Sequence, residues 1–136
     1  GWQKSIDLTV KIYRLTGEFP ASEGYGLTSQ MRRAAVSIAS NIAEGWGRRS
    51  RLEYRKFVLI ARGSHDELMT QLVIAGRLGF GEAVRLAEAE TLASEVGRCL
   101  QACIRFCRGQ EGPSRREYRS PGQLAVRLCL APHLEP

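Results

Sequence analysis

Apolar residues recur at steps of three and four along the chain as far as Arg108, the period of amphipathic helices and not of strands. The opening segment WQKSIDLTVKIYRLTGEF puts Trp2, Ile6, Val10 and Tyr13 on one stripe with Thr9 beside it, and Gly17 with Pro20 ends it. PASEGYG, rich in Pro, Ser and Gly, reads as a link between helices. The second helix spans about Leu27 to Glu44 on a seam of Met31, Ala35, Ile38 and Ile42, and a Gly-Trp-Gly break follows it. The third opens with Ser50-x-x-Glu53, a capping box in which each side chain satisfies the other's free backbone donor. It continues through Phe57, Ala61, Ser64, Leu68, Leu72, Ala75 and Leu78, and Gly79 and Gly81 close it around Phe80. The fourth runs from about Glu82 to Arg108 on Leu86, Ala89, Ala93, Val96, Leu100, Cys103 and Cys107. Short polar links and no strand alternation predict an all-α, up-down-up-down four-helix bundle over residues 1–108. Residues 109–136, with four Pro, three Gly and the close Arg115, Arg116 and Arg119, carry only a short apolar stretch, Leu124 to Leu130. That composition predicts a disordered tail.

Polar residues interrupt the pattern where bulk is expected. Asn41 falls on the inward side of helix 2, with Ser37, Ser40 and Glu44 beside it and Arg33 further back. On helix 3, Gly63, Ser64, Glu67 and Gln71 make a comparable strip. A buried amide or carboxylate without a partner costs several kcal/mol, so these groups must pair. The expected network is Ser37, Asn41, Glu44, Ser64, Glu67 and Gln71, across a contact of small residues between helices 2 and 3. Such a network fixes register, as a single buried Asn does in coiled coils, or forms a polar site for a ligand or a neighbouring subunit. Both readings stay open at this point.

Charge changes the picture more than composition does. Twenty Lys and Arg against fourteen Asp and Glu leave a net +6, and only three of the cations are Lys. Between Arg32 and Arg62, eight basic residues face only Glu44 and Glu53, a local +6. Cations in the first turns of a helix oppose its macrodipole, so their placement is not optimised for stability. The planar fork of Arg suits phosphate, and Trp46 or Tyr54 could stack a base. The candidate nucleic-acid contacts are therefore Arg32, Arg33, Arg48, Arg49, Arg51, Arg55 and Lys56, with Trp46 as a stacking group. The same cluster also suits an acidic protein surface, or a solvated face of Arg–Glu pairs.

Catalytic and metal chemistry finds no support. A di-metal bundle needs Glu-x-x-His on two helices, and neither His65 nor His133 follows a Glu by three. His65 is expected on the flank of the helix 3 seam. Cys99, Cys103 and Cys107 stack along one face of helix 4 and read as small apolar core residues. GWGRR lacks the spacing of a phosphate-binding loop, and no nucleophile signature occurs. The sequence thus predicts a protein that is not an enzyme and that needs no cofactor and no metal. With no apolar run near the ~18 residues of a membrane span, no signal-peptide pattern and no framework of paired Cys, a cytoplasmic location with reduced thiols is expected.

The phrase YGLTSQMRRAAVSIASNIAEGWGRRSRLEY, followed by ARGSHDELMTQL and opened by WQKSIDLTVKIYRLT, closely resembles the four-helix-bundle proteins encoded in 23S rRNA intervening sequences. The resemblance covers residues 2 to about 107, and SNIAEG with its trailing aromatic-Gly-Arg is its most specific part. It implies a bundle that assembles as a homopentamer. It also implies a relationship to the accessory variability determinant of diversity-generating retroelements, a basic pentamer that associates with nucleic acid and a reverse transcriptase. Ala39 stands where many members carry Pro, which predicts a straighter helix 2, and Trp46 replaces the more usual Phe. The combined expectation is a cytoplasmic homopentamer that binds RNA, such as rRNA, or DNA without catalysis. The alternative is an oligomeric adaptor for a reverse-transcriptase-like or other acidic protein partner.

Overall fold

The computed structural model describes residues 1–109, and its regular elements are all helical. They are α1 (Trp2–Thr16), a single 3-10 turn (Ala21–Glu23), α2 (Leu27–Gly47), α3 (Arg51–Leu78) and α4 (Ala83–Arg108). The predicted tail of residues 109–136 lies, apart from Gly109, outside the described residues.

Pairings between helices fix the topology. Lys4 pairs with Glu95 and Lys11 with Glu88, so α1 and α4 run in opposite directions. Thr9 Oγ1 donates to Ala35 O at 3.1 Å, the Ser37 and Ser64 hydroxyls share a 2.8 Å hydrogen bond, and His65 Nε2 donates to Ala93 O at 2.8 Å. Each helix therefore packs antiparallel to its neighbours in sequence, and α4 closes the ring on α1. This is an up-down-up-down four-helix bundle, with α2 against α3 as its most extensive contact. α2 runs unbroken through Ala39.

The core is built from the predicted seams of α2 and α4, and α1 departs from its prediction. Ile6, Val10 and Tyr13 lie outside, at 37%, 43% and 46% exposure. Ser5, Leu8, Ile12, Leu15 and Thr16 are buried in their place. α1 carries two apolar stripes less than half a turn apart, and only packing against α2 and α4 selects between them. The two polar members of the buried stripe cost little, because each satisfies its hydroxyl on its own helix: Ser5 donates to Trp2 O, and Thr16 to Ile12 O at 2.7 Å. On α3, Val58 takes the fully buried place expected of Phe57, and Leu78 is exposed beyond the last buried residue, Ala75.

His65 also departs from its predicted flank position. It is 6% exposed, wedged between α3 and α4. The opposing residue is Gly97, where an added Cβ would lie 2.8 Å from the ring. A carbonyl oxygen only accepts, so the 2.8 Å contact with Ala93 O places a proton on Nε2. Nδ1 lies 3.1 Å from Asp66 Oδ1. Partial burial pushes the Asp66 carboxyl up, but hydrogen bonds from His65 and Arg62 outweigh it and hold the group below the usual carboxylate range.

Gly97→Ala should therefore destabilise the bundle by about 1–3 kcal/mol, the range for overpacking a well-filled interior. Urea unfolding of the single variant, and of the same change in a His65→Ala background, measures it. The penalty should shrink in the second background, where the clashing ring is gone.

Candidate nucleic-acid interface

The α2–α3 link is shorter and later than the Gly-Trp-Gly motif suggested. α2 continues through Gly45, Trp46 and Gly47, and only Arg48 to Ser50 separate it from α3. Gly45 is there for packing, not for a turn. A Cβ on it would lie 2.7 Å from Phe57 Cβ, so the helices meet closely at this level. The reversal falls instead on Arg49, whose φ of 51° is in the left-handed region. A non-glycine residue held there costs roughly 1–2 kcal/mol. Ser50 then caps α3 by accepting from Glu53 N at 3.4 Å. The Glu53 carboxylate turns to Lys56 at 2.7 Å. The hydrogen bond from Lys56, with that charge and the charge of Arg48, holds the Glu53 carboxyl below its usual range.

Arg51 ties this link to the far end of the chain's last helix. Its Nη2 donates to Phe106 O at 3.2 Å and Cys107 O at 3.3 Å, and its guanidinium lies 5.6 Å from the Phe106 ring centroid. These carbonyls belong to the last turn of α4 and have no partner within their helix. The link and the α4 terminus consequently share one end of the bundle. Among the described residues seven cations gather there, Arg48, Arg49, Arg51, Arg55, Lys56, Arg105 and Arg108, against Glu44 and Glu53, a local +5. Each carboxylate already serves a cation, Glu44 at 2.8 Å from Arg48 and Glu53 with Lys56. Arg48 also lies over the Phe57 ring. Arg49, Arg105 and Arg108 are exposed and make no ion pair among the described residues.

Not every predicted contact joins this end. Arg32 is held on α1, its Nε donating to Thr16 Oγ1 at 2.9 Å and its guanidinium 4.6 Å from the Tyr13 ring centroid. Arg33 lies in a shallow groove over α2 with Tyr13, Ser29, Ser37 and Glu67. Arg33 lies on α2 fifteen residues before Arg48, the residue that caps its end, or about 22 Å away, so the eight expected contacts do not form one patch. Tyr54 is buried and donates to Cys103 Sγ at 3.6 Å, which removes it as a stacking group. Trp46 remains on the surface at 41% exposure, in the last turn of α2. Arg105 and Arg108 were missed by the local charge count. The signal for them was topological, because an up-down bundle must return its fourth helix to the link between the second and third.

The polar strip divides likewise. Asn41 Nδ2 donates to Ser37 O at 2.8 Å and to Ser37 Oγ at 3.1 Å, and the Ser37 and Ser64 hydroxyls lie 2.8 Å apart, either one able to donate. The Ser37–Ser64 bond crosses the α2–α3 contact, and the Asn41 bonds stay within α2. Gln71 is buried and donates to Glu67 Oε1 at 3.0 Å within α3. Glu44 is outside, on Arg48. Among the described residues no group of His, Cys, Asp and Glu could hold a metal ion, and no helix is long and apolar enough to cross a membrane. Cys103 and Cys107 are buried and Cys99 is half-buried.

A family model described as 23S rRNA-intervening sequence protein matches residues 1–102. The chain is also similar to a crystal structure from Bacteroides thetaiotaomicron, described as a protein of unknown function from the S23 ribosomal protein family. The two share 23% identity over 76% of this chain and 96% of that one, with a TM-score of 0.68, a likeness of fold. No curated protein matches the chain.

The two central arginines should separate on substitution. Arg51→Ala leaves two α4 carbonyls without their charged donor and should cost about 1–2 kcal/mol. Arg49→Gly relieves the left-handed strain against glycine's extra chain entropy, so its stability should match the parent or exceed it by up to about 1 kcal/mol. Thermal unfolding followed by circular dichroism reads both.

Proposed function

The chain belongs to the 23S rRNA-intervening sequence protein family, and we propose that it is a non-catalytic binder of nucleic acid, RNA or DNA, that works as a homo-oligomer in the cytoplasm. One observation carries the binding reading: the convergence of seven cations on one end of the bundle, where the two carboxylates among the described residues are already engaged. Arg105 and Arg108 complement the negative end of the α4 dipole, and Arg51 caps it. The Arg49 backbone makes the α2–α3 reversal, but its side chain is exposed and serves no group of the fold among the described residues. A phosphate backbone supplies the missing anions, and binding it releases condensed counterions.

The oligomer reading rests on apolar residues that the bundle leaves outside. Ile6 and Val10 line the outer face of α1. Leu52, Leu59 and Val73 recur on the outside of α3 at heptad multiples. Two different faces, in place of one self-complementary patch, suit head-to-tail contacts that close into a ring. The five-fold ring follows from the family resemblance. Repeating the basic end around a ring multiplies its attraction for a polyanion. The same apolar faces also favour a second reading, an adaptor for a protein partner such as a reverse-transcriptase-like polymerase.

Reversal of Arg49, Arg105 and Arg108 to Glu should lower affinity for a labelled RNA at least 100-fold and flatten the dependence of log K on log salt by about 2, with helical content unchanged. The matched reversal of Arg14 and Arg77, at the opposite end, should preserve the slope. Equal affinity in all three proteins sinks the binding reading. Binding to a protein partner that survives nuclease supports the adaptor instead. For the oligomer, native mass spectrometry should give five subunits for the parent and a smaller mass for Val10→Asp, whose monomer stability should move by no more than about 0.5 kcal/mol because the position is outside the core. A monomeric parent refutes the ring.

A further inference from the structure

Trp46 is the one large aromatic group left exposed at the basic end among the described residues, at 41%. Its neighbours in sequence are small or cationic. Gly45 packs against Phe57, Gly47 has no atom of another group within 4 Å of where a Cβ would stand, and Arg48 and Arg49 follow. The two residues are joined through the backbone, Arg49 N donating to Trp46 O at 3.4 Å, so the exposed indole stands next to the turn that carries the unpaired Arg49. The left-handed backbone of Arg49 makes the reversal, and its side chain, which makes no ion pair among the described residues, is left for a ligand.

We infer that this end selects unpaired nucleotides, with one base stacked on Trp46 and the adjoining phosphates on Arg49 and the α4 arginines. The inference rests on the nucleic-acid reading above and narrows it. A duplex holds its bases stacked on one another and offers a flat side chain only its backbone. A loop, bulge or single strand can turn a base outward onto an aromatic face while its phosphates stay in reach of nearby cations. Stacking is indifferent to base identity, so the expected ligand is defined by being unpaired more than by its sequence. Arg48, held by Glu44 and lying over the Phe57 ring, stiffens the turn beside the indole. An acidic protein surface would satisfy the arginines but would leave Trp46 without a partner.

The full chain is titrated with a fluorescein-labelled 20-nucleotide single-stranded RNA and with an RNA duplex of equal length, at several salt concentrations. The proteins are the parent, Trp46→Ala and Trp46→Phe. The parent should prefer the single strand. Trp46→Ala should lose about tenfold on it and nothing on the duplex, and Trp46→Phe should recover most of the loss. Tryptophan emission of the parent should be quenched on binding, and Trp46→Phe, which retains Trp2, should lose that quench. If the parent binds but Trp46→Ala matches it on both ligands, or if Trp46→Ala changes the native mass in place of the affinity, the inference is overturned and the charge reading stands. If the parent binds neither ligand at low salt, the nucleic-acid reading falls and this inference with it.

Discussion

The close approach of α2 to α3 is the constraint on which the rest depends. It requires residues without bulk, Gly45 above all, since a Cβ there would overlap Phe57. It also requires that the polar groups trapped in so narrow a contact satisfy one another. Asn41 donates to Ser37, and the Ser37 and Ser64 hydroxyls share a hydrogen bond across the contact. These groups are half-buried, so a lost hydrogen bond here costs about 0.5–1.5 kcal/mol, and a shift of the helices by one turn is disfavoured by sterics first and by hydrogen bonding second. With the register set, the ends of α2 and α3 are fixed only three residues apart, and the chain reverses through Arg49 at positive φ. The basic end of the molecule is thus a consequence of the packing at its middle.

Much of this was legible in the sequence because helical period reports which face a helix buries. The seams of α2 and α4 are the clearest cases. The period fails where one helix carries two apolar stripes, as α1 does, since the residues that choose between them are on other helices. His65 and Tyr54 illustrate the same limit. Each is buried because of a residue remote in sequence, Gly97 opposite the imidazole and Cys103 opposite the phenol. Glycine in a helix normally reads as a weak point, and nothing local marks Gly97 as a socket. Gly-Trp-Gly reads as a break for the same reason, although Gly45 serves the interface.

The candidate site was legible in its chemistry and less so in its extent. Counting charges along the chain groups Arg32 and Arg33 with Arg48 and Arg49, but a helix converts sequence separation into distance. It omits Arg105 and Arg108, which are remote in sequence and adjacent in space. Only the topology corrects both errors. The pattern of the chain implies the bundle, and an up-down bundle itself brings the end of α4 to the link between α2 and α3.

Arg51 and Arg49 show why a cluster of like charges need not be read as one functional unit. Seven cations with two carboxylates repel one another, and the fold offsets part of that by giving individual cations structural partners. Arg51 takes the α4 carbonyls, Arg48 takes Glu44 and the Phe57 ring, and Lys56 takes Glu53. What remains is a smaller set, Arg49, Arg105 and Arg108, whose charge the described residues do not neutralise. The distinction matters because a side chain bound to its own fold must break that contact to reach a ligand, at a cost comparable to what the new contact returns. An exposed guanidinium has no such cost. The binding capacity of this end is therefore set by the unengaged arginines and the indole beside them, and the engaged ones hold the surface in shape.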